Sequence, residues 1–453
     1  MTSDGDAMSR LEMALEWSRE PYFFPGGLIW LPLHFVLIAL PSLLFKCSIW
    51  HGATAVVLLS GLLSIVLLFL LARKKFGDTV ALVSALLLAV NPFHIKYSVL
   101  SMTEVPFIFF VLLAIWFLYL FLEKEKTVYL LAASLFLNCS SLIRFEGWIV
   151  SALLPFFLLY YGKSWRAFFL FGILNAVSIV GYMFVSITST GNLIHGLTMS
   201  DLEVRYAYAA VENKWQHVWQ GMRGEVVLPL WLSPFLFYGI YLGLRQRKEL
   251  PLLFTGAFLL AFISWKVVRF ETEPGWRYFS TGIVLLLPYL SLSIVELTKN
   301  MRWVRTVVVG VIAFFLVKHS VEQFTSIQQN LGDSNGIAEA ADWIKARRKA
   351  TEKVFYHAPG FDFPGFRLLS ETPKEELYYP HYPGMKKFSN YEEYTPVVLM
   401  RLMQDTTYHY FVYRTETSTD SFLNLAEVKP AADSLFTLVY QEGKYKILQS
   451  KHP

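Results

Sequence analysis

Charged side chains stand at the ends of long apolar segments in this chain, and they are the residues that could do chemistry. Asp4 and Asp6 open the sequence, Glu104 precedes an apolar segment, and Arg144 and Arg277 stand beside two others. Carboxylates can take a proton from a hydroxyl or hold a divalent cation. Arginines bind phosphate through paired N–H donors. These residue types predict a site with acid–base or metal-binding groups beside phosphate-binding groups.

Each of these acids also has an ordinary structural explanation. Asp4 and Asp6 could cap a helix or lie in a solvated turn, because Asp favours helix N-termini. Glu104 could simply interact with the dipole of the helix that it precedes. Arg144 could form a local ion pair with Glu146 at a hairpin turn. Residue types alone leave both interpretations open.

Two further groups of polar residues invite the same comparison. Arg277 and Tyr278 could contact phosphate, or form part of an interfacial aromatic belt with a snorkelling arginine. The connection 189–227 is a candidate binding loop, because long loops are often functional. It contains His195, Asp201, Glu203, Arg205, Tyr206, Glu212, His217 and Arg223. No fixed spacing among them defines a metal site.

The elements that must position these residues are membrane helices. The chain has 453 residues, of which 55% are hydrophobic and 17% charged, whereas soluble proteins have about a quarter charged. The apolar residues form blocks of about 17–22 residues, the length that spans a bilayer. These blocks are 28–46, 53–72, 79–95, 105–122, 128–142, 147–161, 167–188, 228–244, 250–265, 279–295 and 303–318. We predict a mainly α polytopic transmembrane bundle of about ten spans plus juxtamembrane helices in residues 1–320.

Basic residues predict how the bundle is oriented. Alternate short connections contain Arg73, Lys74, Lys75, Lys124, Lys126, Lys163, Arg166, Arg245, Arg247, Lys248, Lys299 and Arg302. The positive-inside rule places these connections in the cytoplasm. The connections that contain the candidate site residues then lie outside it, as does everything after about residue 319. The net charge of +5 reflects cytoplasmic loops, so it does not indicate nucleic-acid binding.

Residues 1–52 are then an outer juxtamembrane segment. Block 28–46 contains Pro32 and Pro41, so we predict an interfacial or re-entrant segment, with a kinked true span as the alternative. Residues 8–17 have their apolar side chains on one face, which predicts a helix along the membrane surface. An outer N-terminus without a signal sequence leads us to expect that a first transmembrane helix is missing from this chain.

The C-terminal residues 321–453 predict a small soluble α/β domain outside the cytoplasm. The spacing of apolar residues predicts a helix over 336–348. Short aromatic and β-branched runs predict strands near 354–356 and 410–413, and Glu442-Gly443 between two further runs predicts a hairpin. No catalytic motif is recognisable in this part of the chain.

Several motifs of the membrane segment, taken in their order along the chain, resemble those of the GT-C superfamily of membrane glycosyltransferases. The branch they most resemble is the bacterial relatives of dolichyl-phosphate-mannose-protein mannosyltransferase and of aminoarabinose transferase. The segments that carry the resemblance are Asp4-Gly5-Asp6-Ala7, Pro25-Gly26-Gly27 with Trp30-Leu31-Pro32-Leu33-His34, Arg73-Lys74-Lys75-Phe76-Gly77, residues 97–106, and Arg277-Tyr278 with Pro288. The resemblance covers residues 1 to about 320. Members of the family have a transmembrane helix before the acidic motif, and this chain does not.

The resemblance implies an enzyme that transfers a sugar from a polyprenyl phosphate to an acceptor hydroxyl at the extracytoplasmic face, with inversion. The implied partners are the lipid-linked donor, a protein, lipid or glycan acceptor, and membrane lipid, with no nucleic acid. The implied location is the bacterial inner membrane. A polytopic transporter or lipid-linked-sugar flippase is the alternative. It is less well supported, because we find no internal repeat and the polar residues lie at one face.

The resemblance also implies roles for individual residues. By position, Asp6 acts as the base or positions the acceptor, with Asp4 as the alternate, and Glu104 belongs to the acceptor site. The predicted contacts to the donor phosphate are Arg277, Tyr278, Arg144 and Lys96, and the candidate acceptor or metal contacts are His34, His195 and Glu203. Some relatives bind a divalent metal and others do not, so a metal requirement stays open.

Overall fold

The structure is a computed structural model of the 453-residue chain. It describes residues 5–22, 24, 28–209, 213–245, 250–272, 275–357, 366–367, 369–372, 376–378, 396–415, 418–426 and 428–451. Asp4 and Pro25-Gly26-Gly27 lie outside the described residues, as does the side chain of Glu203. The chain forms two compact units: a membrane unit, Met13–Gln323, and a C-terminal unit, Phe324–Pro453 together with Met1–Glu12.

Helices dominate the first 347 residues. They are α1 (Gly5–Arg19), α2 (Leu33–Phe45), α3 (Ile49–Phe76), α4 (Asp78–Ala89), α5 (Pro92–Tyr97), α6 (Glu104–Lys124), α7 (Thr127–Ser141), α8 (Glu146–Tyr160), α9 (Trp165–Thr190), α10 (His195–Ala209), α11 (Lys214–Arg245), α12 (Leu250–Val268), α13 (Trp276–Leu297) and α14 (Arg302–Arg347). Within the described residues, six helices contain segments long and apolar enough to cross a membrane, in α3, α6, α9, α12, α13 and α14. Helices α2, α4, α7 and α8 are apolar but shorter. The predicted helical membrane bundle is confirmed, and the chain is an integral membrane protein.

The core of the membrane unit lies around α6 and α13. Helix α6 packs against α3 and α7, and α13 packs against α4, α11 and α12. Because lipid tails are as apolar as leucine, such helices associate through close packing and small residues. A Cβ on Gly256 would lie 2.9 Å from the carbonyl oxygen of Gly282. This pair of glycines therefore lets α12 and α13 approach closely.

Helix α2 continues through Pro41, because proline kinks a membrane helix without ending it where neighbours satisfy the freed backbone groups. The interfacial or re-entrant placement of this segment stays a prediction. The structure corrects two expectations about the helices. The long connection 189–227 is largely helical: it contains α10 and the first part of α11. The predicted span 303–318 and the predicted helix 336–348 are parts of the single helix α14. Apolar periodicity weakens between those two segments, so the sequence pattern suggested a break.

The C-terminal unit contains a five-stranded sheet of order β2-β1-β3-β5-β4. Its strands are β1 (Lys353–His357), β2 (Leu377–Tyr378), β3 (Tyr408–Arg414), β4 (Phe436–Glu442) and β5 (Tyr445–Ser450), and its short helices are α15 (Pro396–Gln404), α16 (Ser418–Leu423) and α17 (Lys429–Leu435). Strand β1 pairs in parallel with β2 and β3, whereas β5 is antiparallel to β3 and β4. The predicted α/β domain and its β4–β5 hairpin are confirmed.

Candidate active site

An arginine enclosed by two carboxylates lies where α7 meets α8. The Arg144 Nη1 atom donates to Glu104 Oε1 at 2.7 Å and to Thr103 Oγ1 at 3.0 Å. Its Nη2 and Nε atoms donate to the two carboxylate oxygens of Glu146, at 2.7 and 3.2 Å. The exposed side-chain fractions are 12% for Arg144, 2% for Glu104 and 15% for Glu146. We call Glu104, Arg144 and Glu146 the acidic cluster, since it holds two carboxylates and one guanidinium.

Local backbone geometry builds this cluster. The amides of Ile143 and Arg144 both bond to the carbonyl of Ser140, which closes a tight turn after α7. Gly147 follows at the start of α8, where an added Cβ would lie 2.7 Å from the Ser140 carbonyl carbon. Glycine is therefore required for α8 to begin so close to the end of α7. That close approach sets Arg144 and Glu146 beside Glu104, the first residue of α6.

The electrostatics of the acidic cluster keep Arg144 charged. Burial alone would lower the pKa of Arg144, but attraction to Glu146 and Glu104 outweighs it and holds the pKa above its ordinary value. Glu104 uses only one oxygen in this interaction. Its Oε2 atom is buried and has no hydrogen-bond partner among the described residues, a costly arrangement unless a ligand or water supplies a donor. The cluster thus presents one anchored carboxylate with a spare acceptor atom.

The aromatic ring of Tyr278 connects the acidic cluster to Arg277. The guanidinium carbon of Arg144 lies 5.6 Å from the centroid of this ring, and that of Arg277 lies 4.9 Å from it. Arg277 also donates through Nη2 to the Tyr278 hydroxyl at 2.8 Å. The two guanidinium-to-ring distances, 5.6 and 4.9 Å, are within the range of cation–π attraction. The structure therefore brings together four residues predicted as a site: Glu104, Arg144, Arg277 and Tyr278.

A second group has the opposite balance of charge. Arg205 in α10 and Arg269 after α12 both donate to Glu271 Oε1, at 2.7 and 2.9 Å. Their side chains are 55% and 53% exposed, whereas Glu271 is 8% exposed. We call Arg205, Arg269 and Glu271 the basic cluster. Two guanidiniums on one carboxylate leave a net positive charge and several N–H donors facing solvent.

Of these three residues, only Arg205 was singled out from the sequence. The Arg269-Phe270-Glu271 spacing directly after an apolar helix was the available signal. A nearby pair joins Lys266 and Asp201 at 2.8 Å, and Arg269 lies 5.0 Å from the ring of Trp265. Cations beside aromatic rings at the end of a span are typical of an interface with lipid headgroups.

The remaining predicted contacts are separate structural features. His34 is fully buried in α2, with its Nε2 atom 3.2 Å from the carbonyl oxygen of Ser101. Lys96 lies in α5 with its ammonium group 5.4 Å from the ring of Tyr97. His195 begins α10, and its backbone amide donates to Ser186 Oγ. The side-chain contacts of Glu203 lie outside the described residues.

The acidic stretch at the start of the chain belongs to the C-terminal unit. Asp6 is in the first turn of α1 and half-buried. Further along α1, Glu12 forms an ion pair with Arg367 in which both side chains are largely buried. The placement of Asp4 and Asp6 beside Glu104 stays a prediction. Within the described ranges, no three His, Cys, Asp or Glu side chains lie close enough together to hold a metal ion.

Comparison with known proteins relates part of the chain to a family. Residues 30–188 match the model of the family described as dolichyl-phosphate-mannose-protein mannosyltransferase. A stretch of 134 residues is 29% identical to "Putative mannosyltransferase YkcB" of Bacillus subtilis (strain 168). That stretch is 29% of this chain but only 18% of the curated relative, so the match spans less than a fifth of that protein's length.

Solved structures share the fold over nearly the whole chain. ArnT from Cupriavidus metallidurans, bound to undecaprenyl phosphate, superposes with a TM-score of 0.66 at 13% identity, covering 99% of this chain and 94% of ArnT. The oligosaccharyltransferase AglB from Archaeoglobus fulgidus, in complex with an inhibitory peptide and a dolichol-phosphate, gives a TM-score of 0.53 at 10% identity. That match covers 98% of this chain and 70% of AglB.

The chain therefore has the fold of the solved ArnT and AglB structures, and the resemblance to the GT-C membrane glycosyltransferases predicted from the sequence is confirmed. Within that class, the segment 30–188 is similar to the mannosyltransferase family. It contains Glu104, Arg144 and Glu146, and therefore the whole acidic cluster.

Proposed function

We propose that this protein transfers a sugar from a polyprenyl phosphate to an acceptor hydroxyl at the extracytoplasmic face of the membrane, with inversion. The observation that carries the proposal is the buried Glu104 carboxylate. Arg144 holds it at 2.7 Å, and its second oxygen has no hydrogen-bond partner within the described ranges. It lies in a fold shared with ArnT, which binds undecaprenyl phosphate, and with AglB, which binds a dolichol-phosphate. Lipid-linked substrates of this class suit a helical bundle whose outer grooves hold a prenyl tail.

The proposed reaction is a single displacement at the anomeric carbon. The acceptor oxygen forms the new bond to that carbon while the bond to the phosphate oxygen breaks, and the phosphate leaves with the electron pair. The proton of the acceptor hydroxyl passes to a carboxylate, for which we propose Asp6, with Asp4 as the alternate. Phosphate is a good leaving group, so catalysis needs mainly a base and cations placed where negative charge develops.

We propose the remaining roles as follows. Glu104 positions the acceptor hydroxyl, and Arg277, Tyr278 and Lys96 contact the leaving phosphate. Arg144 was predicted as a phosphate contact, but its N–H donors are directed to Glu104, Glu146 and Thr103. We therefore assign it the role of holding Glu104. His34, His195 and Glu203 stay proposed acceptor contacts.

The test is product formation by the purified full-length chain with undecaprenyl-phosphate mannose and hydroxyl acceptors, with the anomeric configuration of the product determined by NMR. We expect an inverted product. Glu104→Gln should lower kcat about 100-fold, because a misplaced acceptor hydroxyl loses the advantage of orientation. Glu296→Gln is the control, because Glu296 pairs with Lys299 at the other end of α13.

Two outcomes would contradict the proposal. Full activity in the double variant Asp4→Asn and Asp6→Asn would remove the proposed base. Movement of the lipid-linked sugar across the membrane without cleavage of the sugar–phosphate bond would favour a flippase.

A further inference from the structure

A small cleft adjoins the acidic cluster, and two of its lining residues, His94 and Glu104, have a buried polar atom without a hydrogen-bond partner in the part of the chain that the structure describes. It has an empty volume of about 290 Å³, part of which opens to solvent. Asn91, His94, Tyr97, Glu104 and Ser280 contribute its polar lining, and apolar side chains of α6 and α13 complete it. Because this volume counts open solvent, it is an upper limit on the room for a ligand. The cleft therefore suits one substituent of a substrate, not a whole lipid-linked sugar.

His94 presents an acceptor atom in this cleft. Its Nε2 atom lies 3.1 Å from the carbonyl oxygen of Gly61, and a carbonyl can only accept, so Nε2 carries the proton. Burial lowers the pKa of His94 to about 4, so the ring is neutral at pH 7 and Nδ1 keeps a lone pair. This Nδ1 atom is buried without a hydrogen-bond partner among the described residues.

Close packing holds His94 in this orientation. A Cβ on Gly61 would lie 2.2 Å from Ser98 Oγ, so only glycine lets α3 approach α5 at this point. Ser98 Oγ in turn donates to the carbonyl of His94. The Asn91 side-chain oxygen accepts the backbone amides of Phe93 and His94, which caps α5. The imidazole is therefore positioned by its neighbours before any ligand binds.

The other polar atoms of the cleft also accept hydrogen bonds. Glu104 Oε2 is buried and unpartnered within the described part of the chain, while its Oε1 faces Arg144. Ser280 Oγ donates its proton to the carbonyl of Arg277 at 2.8 Å, so its lone pairs remain available. A metal cation is a poor match, because the Arg144 guanidinium lies 2.7 Å from Glu104 Oε1 and would repel it. A neutral O–H donor is the matching ligand chemistry.

We propose that the cleft binds a single hydroxyl group of a substrate, which donates to His94 Nδ1 or Glu104 Oε2 and is oriented by both. This proposal rests on the proposed glycosyl transfer and specifies how one substrate is recognised. This hydroxyl belongs either to the acceptor or to the sugar of the donor. A site that hydrogen-bonds a hydroxyl strongly rejects analogues lacking it, because its buried polar atoms are then left unpaired. His94 and Ser280 are thereby specificity-determining residues.

The direct test is a binding measurement that needs no turnover. The full-length protein is labelled with ¹⁵N-histidine, and the His94 Nδ1 signal is identified by its loss in His94→Phe. The probes are undecaprenyl phosphate, undecaprenyl-phosphate mannose and methyl mannoside. An upfield shift with the mannosyl lipid but not with the bare lipid phosphate supports a donor hydroxyl, and a shift with methyl mannoside supports an acceptor hydroxyl. No shift with either sugar probe would overturn the proposal and leave a buried water as the occupant.

Kinetics provide a second readout with a matched control. Ser280→Ala should raise the KM of one substrate about 3-fold and His94→Phe about 10-fold, the loss expected for one hydrogen bond, with kcat changed less. Ser293→Ala is the control: Ser293 is also buried on α13 and also donates to a carbonyl three residues back. Equal KM values in Ser280→Ala and Ser293→Ala would count against the cleft. Absence of any glycosyl transfer by the wild-type protein would instead refute the proposed function, whatever the NMR shows.

Discussion

The acidic cluster and the basic cluster use the same residue types in opposite proportions. In the first, Arg144 is enclosed by two carboxylates and nearly buried; in the second, Glu271 is buried under two half-exposed guanidiniums. Buried charges must be matched closely by their partners, whereas exposed charges are screened by solvent. The two clusters therefore suit different ligands: the acidic cluster can orient a hydroxyl, and the basic cluster can attract a phosphate group.

The largest expected effect comes from removing the shared cation of the acidic cluster. Arg144→Met leaves Glu104 and Glu146 buried without the guanidinium that they share, which should lower the free energy of unfolding by about 3–5 kcal/mol. Arg205→Met in the basic cluster should change it by less than about 1 kcal/mol, since that side chain is half-exposed and Arg269 remains. Denaturant titration of both variants in the same detergent compares them. Equal losses would show that the two clusters do not differ in burial as described.

Acid should destabilise the fold through the buried His94 and not through the exposed His51. His94 has a folded pKa of about 4 against about 6.5 unfolded, so the unfolded state binds the proton first as the pH falls. Stability contributed by neutral His94 is therefore complete above pH 6.5 and declines between pH 6.5 and 4, by at most about 3 kcal/mol. His94→Phe should flatten this dependence, and His51→Phe, at an exposed position, should not. An unchanged pH profile in His94→Phe would contradict the assignment.

Backbone crowding distinguishes glycines near the acidic cluster from others. Gly147→Ala forces a Cβ to within 2.7 Å of the Ser140 backbone, and we expect a loss of about 1–3 kcal/mol with reduced transferase activity. Gly172→Ala, also in an apolar helix but with no atom within 4 Å of the added Cβ, should be neutral or slightly stabilising. Thermal unfolding and product formation are measured on both variants. A neutral Gly147→Ala would show that the turn after α7 does not depend on this close approach.

The smallest effect concerns the basic cluster and its exposure. Arg269→Gln should raise the KM for the lipid-linked donor about 5-fold to 10-fold, because an exposed phosphate contact contributes about 1 kcal/mol. The wild-type KM should also rise with salt. Dissolved ions screen interactions between exposed charges that are farther apart than the Debye length, about 8 Å at physiological ionic strength and shorter at higher salt. The variant should show a weaker salt dependence. A salt-independent donor KM in the wild type would argue against phosphate binding at this cluster.

The sequence predicted features that depend on local spacing. The strands around Val354-Phe355-Tyr356 and Tyr410-Phe411-Val412 were recognisable from their aromatic and β-branched residues, and the Arg144–Glu146 pair from its separation of two residues. In contrast, Arg144 and Glu104 are 40 residues apart, and their contact depends on how α6, α7 and α8 pack. The sequence resemblance predicted both as site residues, but not that Arg144 binds Glu104.

Other features of the structure could not be predicted from the sequence. The acceptor state of His94 depends on the carbonyl of Gly61, a backbone atom 33 residues away. The ion pair between Glu271 and Arg205 could not be predicted, because the two residues are 66 positions apart in the sequence. The continuity of α14 could not be predicted, because its middle section lacks the apolar periodicity of its two ends. The relation of Asp6 to the acidic cluster stays a prediction from resemblance.

The most direct test of the account compares Glu104→Gln with Glu271→Gln in the same transfer assay with undecaprenyl-phosphate mannose. If Glu104 positions the acceptor hydroxyl and the basic cluster only attracts the donor phosphate, Glu104→Gln loses kcat about 100-fold with little change in donor KM. Glu271→Gln should then keep kcat within about 3-fold and alter mainly the donor KM. Wild-type kcat in Glu104→Gln would contradict the account.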